Sequence, residues 1–556
     1  MDRLRARGRD PGDGGQGADR LLVRRLRQRR RPGHHGPAEL AAAPVLRNAD
    51  PERQPGDRLA VLPLAAGGGD DHPRHRSRPP DVGPARLRIV PAGIRAPCRA
   101  RSPQRSSPPR RLPRVPPLTQ PPTPVVYGER VTSPQSVVRV GIFTDDFYPE
   151  SGGVARSIEL QIEQLVRAGH HVTLFAPRIQ FTPPADAAWE ALPYWRPPGS
   201  PSYLCSLQTV PWLASRIAAE HRFDVVHSQN ERGSMFLAAQ VARAAGVPQV
   251  HTFHSNYVGT HRTTPFIAGL NSLTYLDWSG RWLRKVAARG GDIPAGYPSD
   301  PDAATDSVFA RRDWRSLARL ASAVDAFTSP AGYLVDSIVD SSAGSLAGRG
   351  HVVASGVADA FVRAERKRPR GGVTRFLSAG RLGPEKRVDV ILDAFERLGR
   401  DDAELHIVGT GVAEAALRQQ ASRIRHGTVR FLGHFTDADL IAQEIADADV
   451  FVLASYRFDT QGMVLAEAAT TGTPILYCDD RLSVGVGPDN ALLTGPDADR
   501  LAAGMAELID DTDRLVAMSA ASAELGRGLT AAAMRDAYVD VYRQVIAARS
   551  PAGSLN

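Results

Sequence analysis

Val137-Val138-Arg139-Val140-Gly141-Ile142-Phe143 is a short β-rich apolar run, and its continuation decides the fold. A loop closes on Gly152-Gly153, after which Val154, Ile158, Ile162, Leu165 and Val166 fall on one helical face. Gly169 is a natural helix stop, and His171-Val172-Thr173-Leu174-Phe175-Ala176 reads as the next strand. Strand, glycine loop, helix and strand together open a parallel α/β unit. Val225-Val226-His227, a helix around 234–245 ending at Gly246, and Gln249-Val250-His251-Thr252-Phe253 continue it. The less regular 256–315, with Trp278, Trp282 and Trp314, reads as helices and loops over an opening.

A second series begins near Thr374. Arg375–Gly380, Glu404–Val408, Val429–Gly433, Val450–Ala454 and Pro474–Tyr477 read as strands, and Val388, Ile391, Leu392, Phe395 and Leu398 as a buried helical face. The expected organisation is two α/β domains, 137–355 and 373–530. They are joined by a link, 356–372, whose charge and lack of helix or strand signal suit an exposed hinge. A last helix, 531–548, can pack on either domain.

The first 130 residues differ from all of this. They hold 27 arginines, no lysine, 12 acidic residues and 22 of the 44 prolines, with no period of 2 or 3.6. Such a segment cannot bury enough apolar area to offset its ordering entropy, so disorder is expected. The whole chain carries +9. The segment alone accounts for +15 (27 − 12), and the remainder is acidic by 6, so the net charge says nothing about what the folded part binds. An Arg-rich arm for nucleic acid or anionic lipid would want interleaved aromatic residues, which are missing, so no nucleic-acid partner is expected. Cys98, Cys205 and Cys478 are too few and too scattered for a disulfide framework or a cysteine metal site. No apolar run reaches a membrane-spanning length, and the start leads into no signal-peptide core. The expected location is cytoplasmic, peripheral to a membrane at most.

Three segments carry candidate chemistry. Gly152-Gly153, where a strand passes into a helix, permits close backbone approach to an anion at a helix N-terminus; a plain turn explains the pair equally well. Neither domain entry has the G-x-G-x-x-G spacing of a dinucleotide site. Gly380-Arg381-Leu382-Gly383-Pro384-Glu385-Lys386-Arg387 joins a strand to a helix. There Arg381 offers a fork of donors and Lys386, one of only three lysines in the chain, a compact cation, a pair suited to a diphosphate. Asp459 and Glu467 flank the uncharged Thr460-Gln461-Gly462-Met463 at another strand-to-helix passage, where two carboxylates can accept hydrogen bonds from sugar hydroxyls.

Taken together these segments resemble the retaining, nucleotide-sugar-dependent family 4 glycosyltransferases of GT-B architecture, over about 137–548. Asp145-Asp146-Phe147-Tyr148-Pro149-Glu150-Ser151-Gly152-Gly153 is similar to the family's D-x-F-x-P-x-x-G-G, with Asp145 or Asp146 at the acidic position. Thr252-Phe253-His254-Ser255 resembles T-[YF]-H-[TS], Gly380 to Lys386 resembles G-R-L-x-x-E-K, and Gly409-Thr410-Gly411 the G-x-G beside the nucleotide base. Asp459 and Glu467 occupy the ends of the E-x7-E motif.

The resemblance implies two Rossmann-like domains facing each other across a cleft and a hexosyltransferase that uses a UDP- or GDP-linked sugar. Gly153 would approach the donor, Arg381 and Lys386 would hold its diphosphate, and Gly409 and Gly411 would lie beside the base. Thr460, Gln461, Gly462 and Met463 would line the donor, Glu467 would hold the ribose, and His254 and Asp459 would meet the transferred sugar. Neither a metal nor another cofactor is implied, since Asp145-Asp146 and Asp479-Asp480 have loop or cap explanations at least as good. Two departures stand out: Asp459 replaces glutamate, and Ser355-Gly356-Val357-Ala358 stands where N-G-V-D is usual. They leave open a degenerate, sugar-nucleotide-binding or scaffolding relative. The acceptor is expected to be a lipid, glycan or small molecule. Phe266, Ile267, Leu270, Leu273, Tyr275, Leu276, Trp278, Trp282 and Leu283, with His261, Arg262, Arg281, Arg284 and Lys285, would suit an anionic membrane surface or an ordinary helical cover.

Overall fold

A computed structural model describes residues 136–145, 152–178, 187–196, 205–263, 265–287, 292–300 and 306–549. The expected disordered extension, 1–130, lies outside them, as does Asp146.

The first sheet contains β1 (Arg139–Phe143), β2 (His171–Pro177) and β3 (Ala188–Leu192). After a small antiparallel pair, β4 (Tyr194–Trp195) and β5 (Ser206–Leu207), it resumes with β6 (Val225–Ser228), β7 (Gln249–Thr252), β8 (Ala326–Ser329) and β9 (Gly350–Val352). Its order is β3-β2-β1-β6-β7-β8-β9, all parallel. The second sheet contains β10 (Thr374–Ala379), β11 (Ala403–Val408), β12 (Thr428–Gly433), β13 (Val450–Leu453), β14 (Ile475–Tyr477) and β15 (Ala491–Leu493). Its order is β12-β11-β10-β13-β14-β15, also all parallel. The two sheets face each other across a cleft.

Helices on both faces of a parallel sheet bury its strands, which explains runs such as Val450–Leu453 with every residue buried. Gly141 in β1 is needed for the same reason, because a Cβ there would stand 2.8 Å from the Phe223 ring. On the second sheet the helix Val388–Leu398 turns Val388, Ile391, Leu392, Phe395 and Leu398 inward, each burial contributing roughly 1.5–3 kcal/mol.

Strand order reverses between β1 and β6 in the first sheet and between β10 and β13 in the second. At such a switch point the connections diverge to opposite sides and leave a crevice beyond the carboxyl ends. Gly380–Arg387 leaves from β10 and the loop 455–462 from β13, so topology alone sets both segments at one crevice.

The link 356–372 is less bare than its sequence suggests. It contains a short helix, Asp359–Arg363, with Phe361 buried. Arg366 and Arg368 reach the buried Asp449 at 2.5 Å each, while Asp447 accepts from the Lys367 and Arg368 amides at 2.7 Å. The link's charge is therefore tied to the base of the second sheet.

The last helix, Ala531–Arg549, packs on the helix Gly153–Arg167 of the first domain. Its entry is held where the Val357 amide donates to Leu529 O (2.9 Å), and a Cβ at Gly356 would strike Ala531 Cα at 2.4 Å. The helix thereby sends the fully buried Tyr538 and Tyr542 into the first domain beside His227.

Candidate active site

The loop 455–462 is the centre of the site, and the first domain holds it at four points. Asn256 Nδ2 donates to the carbonyls of Arg457 and Phe458 (3.3 Å each), and Tyr333 Oη donates to the Asp459 carbonyl (3.0 Å). Thr460 Oγ1 donates to the His254 carbonyl (2.8 Å). Gln461 is 4% exposed and spends both ends of its amide on Ser355, accepting from its N–H (2.8 Å) and donating to its carbonyl (3.1 Å). Ser355, which stands where the family usually has asparagine, is thus satisfied by Gln461 and by Ser157 Oγ (2.8 Å). From its own domain the loop is capped by the fully buried Asp479, which accepts from the Arg457 amide (2.5 Å). That bond holds Arg457 in the left-handed region, φ 59°. Asp479 is a cap.

Lys386 and Asp459 meet directly: Nζ lies 2.6 Å from Oδ1, with both side chains largely buried. Asp459 Oδ2 is buried without a hydrogen-bond partner. Arg381, by contrast, is 69% exposed and rests on Glu385 at 2.8 Å. Both cations expected at a diphosphate therefore sit on carboxylates, through contacts that an anion could replace.

The Gly409 and Gly411 positions have a local explanation. Gly409 has φ 130°, and a Cβ there would lie 1.9 Å from the Gly380 carbonyl; one at Gly411 would lie 2.4 Å from the Leu382 carbonyl. The two loops are laced together, Gly380 N to Val408 O (3.0 Å) and Leu382 N to Thr410 O (2.9 Å). Glycine is demanded here by close backbone approach, whatever the loop binds.

Gly153 and Met463 face each other at the starts of the helices Gly153–Arg167 and Met463–Thr470, where a Cβ on Gly153 would stand 3.2 Å from Met463 Sδ. Gly462 precedes the second helix with φ 68°. Two helix N-termini, each with unpaired amides, are brought together here. Glu467, one turn into the second of these helices, is partly buried. No side-chain hydrogen bond to it occurs among the described residues. Desolvation raises its carboxyl to about 7, with Arg156 opposing the shift.

His254 is pushed down to about 4 by burial and is a neutral imidazole near pH 7. Its Nε2 lies 2.8 Å from Gln229 Oε1. Asp145 is entirely occupied. Fully buried, it accepts from the Leu207 amide (2.7 Å), the Ser234 amide (3.0 Å) and the Ser234 hydroxyl (2.7 Å), and burial raises its carboxyl. It serves to anchor the start of the helix Gly233–Ala245.

Motif reading missed Gln229, Asn256, Tyr333 and Ser157. These residues act through contacts between elements remote in sequence, and none falls in a recognisable spacing. One cluster of possible metal ligands occurs among the described residues, Glu190, Glu220 and His221. It lies on β3 and at the end of the helix Pro211–Glu220, away from the loop 455–462 and its partners.

The description "Glycosyltransferase Family 4" matches residues 151–293, and "Glycosyl transferases group 1" matches 373–511, one in each domain. The phosphatidyl-myo-inositol mannosyltransferase of Mycobacterium leprae is 29% identical over 352 residues, covering 62% of this chain and 79% of that one. A GDP-mannose-dependent alpha-(1-6)-phosphatidylinositol monomannoside mannosyltransferase of Mycobacterium tuberculosis is 28% identical over 412 residues, 69% and 93% of the two chains. The alpha-monoglucosyldiacylglycerol synthase of Streptococcus pneumoniae is 23% identical over 359 residues, 61% and 70%. Among solved structures, the sucrose-phosphate synthase of Thermosynechococcus elongatus shares the fold with a TM-score of 0.51 at 16% identity, over 74% of this chain and 100% of that one. The chain is a GT-B-fold glycosyltransferase related to the family 4 and group 1 enzymes. It transfers a sugar from a nucleotide-sugar donor.

Proposed function

We propose that the chain is a retaining hexosyltransferase acting on a lipid acceptor at an anionic membrane surface. The observation that carries the site assignment is the bond from Thr460 to the His254 carbonyl (2.8 Å), next to the 2.6 Å Lys386–Asp459 pair. A group expected at the transferred sugar is thereby joined to the groups expected at the diphosphate.

In this reading Lys386 exchanges Asp459 for the donor diphosphate and Arg381 exchanges Glu385. Negative charge developing on the leaving group is then met by cations already in place. Asp459, once released, accepts from a sugar hydroxyl. Glu467 accepts from the ribose, Gly153 and Met463 let the two helix N-termini approach the diphosphate, and the Gly409–Gly411 loop borders the base. The bond from the anomeric carbon to the departing phosphate oxygen breaks as the bond to the acceptor oxygen forms on the same face. The acceptor's proton passes to the departing phosphate. His254, being neutral, contributes hydrogen bonding and shape on the sugar side.

The lipid acceptor is supported by the names of the relatives and by the helical cover of the first domain. Leu276 and Leu283 face inward, and His261 is spent on Asp313 (2.8 Å), so only part of the expected surface is outside. Phe266, Leu270, Leu273 and Trp278 are 50–83% exposed, with the exposed Arg262 and Lys285 beside them in the chain and the exposed Arg281 paired with Asp277 at 3.0 Å. The π-helical turn Ser272–Leu276 adds the residue that keeps Trp278 outside while Asp277 turns in to Arg312 and Arg319. Exposed apolar side chains beside cations are the pattern of an interfacial helix. Among the described residues no helix is long and apolar enough to cross a membrane.

The test combines calorimetric titration of UDP-glucose, GDP-mannose and UDP-N-acetylglucosamine with transfer to phosphatidylinositol and diacylglycerol in vesicles. One donor should bind preferentially, and the product should carry an α-linkage by proton NMR. A β-linkage would exclude the same-face scheme. Equal activity on anionic and neutral vesicles would exclude the charged surface.

A further inference from the structure

Six hydrogen bonds run in one direction from His254 to the far side of the first sheet. His227 sets the direction. Its Nδ1 is approached by Tyr542 Oη (2.7 Å), Gln161 Nε2 (3.2 Å) and Gln229 Nε2 (3.4 Å), three donors, so this nitrogen carries a lone pair. Its Nε2–H then donates to Thr252 Oγ1 (2.7 Å), whose hydroxyl is 2.6 Å from Thr328 Oγ1. In the other direction, Gln161 Nε2 donates to Tyr542 Oη (2.8 Å), so its Oε1 is left to accept, and it does so from Gln229 Nε2 (2.8 Å). Gln229 Oε1 is thereby turned to His254 Nε2 (2.8 Å) and can only accept. All these side chains except His254 are buried, so no water competes to reverse the order.

We propose that Gln229, Gln161 and Tyr542 are positioning residues that hold His254 as the Nε2–H tautomer, leaving Nδ1 as an acceptor. Tyr542 comes from the C-terminal helix, so a segment beyond the second domain sets the hydrogen-bonding character of a group at the cleft. A neutral histidine can donate from either nitrogen, and which one it uses is decided by the partner of the other. The consequence for transfer rests on the proposed role of His254 beside the sugar; the tautomer itself does not.

The full chain labelled with 15N in its histidine rings tests this by two-bond proton–nitrogen correlation, with His254 assigned by difference from His254→Asn. Wild type should show Nε2 protonated and Nδ1 bare. Gln229→Leu should shift His254 toward a mixture of tautomers and lower kcat about 10-fold, with donor KM changing less than about two-fold. Tyr542→Phe should act in the same direction but less, because Gln161 keeps His227 as a neighbour. Gln229→Glu, which keeps the acceptor, should retain the wild-type tautomer, and it serves if the leucine variant does not fold. An Nδ1–H form in wild type, or a wild-type tautomer in both Gln229→Leu and Tyr542→Phe, overturns the proposal. A changed tautomer with unchanged kcat supports the tautomer assignment and counts against the proposed role of His254 in transfer. The NMR readout needs no donor or acceptor, so an absence of glycosyl transfer would count against the proposed function alone.

Discussion

Burial raises Glu467 to about 7, which couples donor binding to pH with a definite sign. In the proposed role its ionised carboxylate would accept from the ribose, and the protonated form would give up part of that capacity. Affinity for the nucleoside diphosphate should therefore fall as pH drops from 8 to 6 in calorimetric titration. Glu467→Gln should bind weakly with a flat profile, and parallel slopes in the two proteins would refute the assignment. Folding responds in the opposite sense. The carboxyl holds its proton in the folded chain to a higher pH than its ordinary 4.5, so its contribution to stability is complete below that value and is lost as pH rises through about 7. Glu467→Gln should melt above wild type at pH 8 and level with it at pH 4. At the other end of the loop, Asp459 holds Lys386 at 2.6 Å. Asp459→Asn should lower turnover while leaving nucleotide affinity equal or tighter, since the lysine loses a competitor for the diphosphate; a tenfold loss of affinity would show that Asp459 orders the site instead.

Two backbone loops, one entering from β10 and one from β11, touch so closely that their glycines have no substitute. Gly409→Ala would demand an alanine at φ 130° and a Cβ 1.9 Å from the Gly380 carbonyl. Strained backbone of this kind costs about 1–3 kcal/mol before the collision is counted, so the melting temperature should drop by several degrees and donor binding should be lost with it. Gly246, left-handed at φ 71° and ψ 19° with nothing within 4 Å of a Cβ, is the contrast: Gly246→Asn should be tolerated far better in the same melt. Equal losses in the two would mean that positive φ alone, and not loop contact, explains the glycines.

The polar bonds between the domains converge on the loop 455–462, with Gln461 the most committed of them. Gln461→Leu keeps the volume but leaves the Ser355 amide and carbonyl without partners, a loss of roughly 1–3 kcal/mol. Both sheets should remain folded by circular dichroism while small-angle scattering shows a larger radius of gyration and transfer falls. An unchanged radius with unchanged activity would show that Asn256, Tyr333 and Thr460 suffice to hold the loop.

Period and punctuation were legible without coordinates. Strand runs, glycine stops and helical faces such as Val388 to Leu398 give two parallel α/β units, because burial of a sheet on both faces leaves a continuous apolar signature. The motif positions Lys386, Asp459 and Glu467 were legible too, since each lies where a strand passes into a helix. The strands β3, β8, β9 and β15 went unread because short strands carry little pattern of their own. So did the helix Asp359–Arg363 inside a link that reads as bare charge. Which groups meet was decided by tertiary structure alone. Asp145 is spent on Ser234, Gln461 on Ser355, and Lys386 on Asp459; Gln229 and Tyr542 lie 313 positions apart in the chain yet belong to one hydrogen-bond network. Local sequence sets which backbone forms, but a buried polar atom must find its partner wherever packing supplies one, and that partner is named only once the chain has folded back on itself.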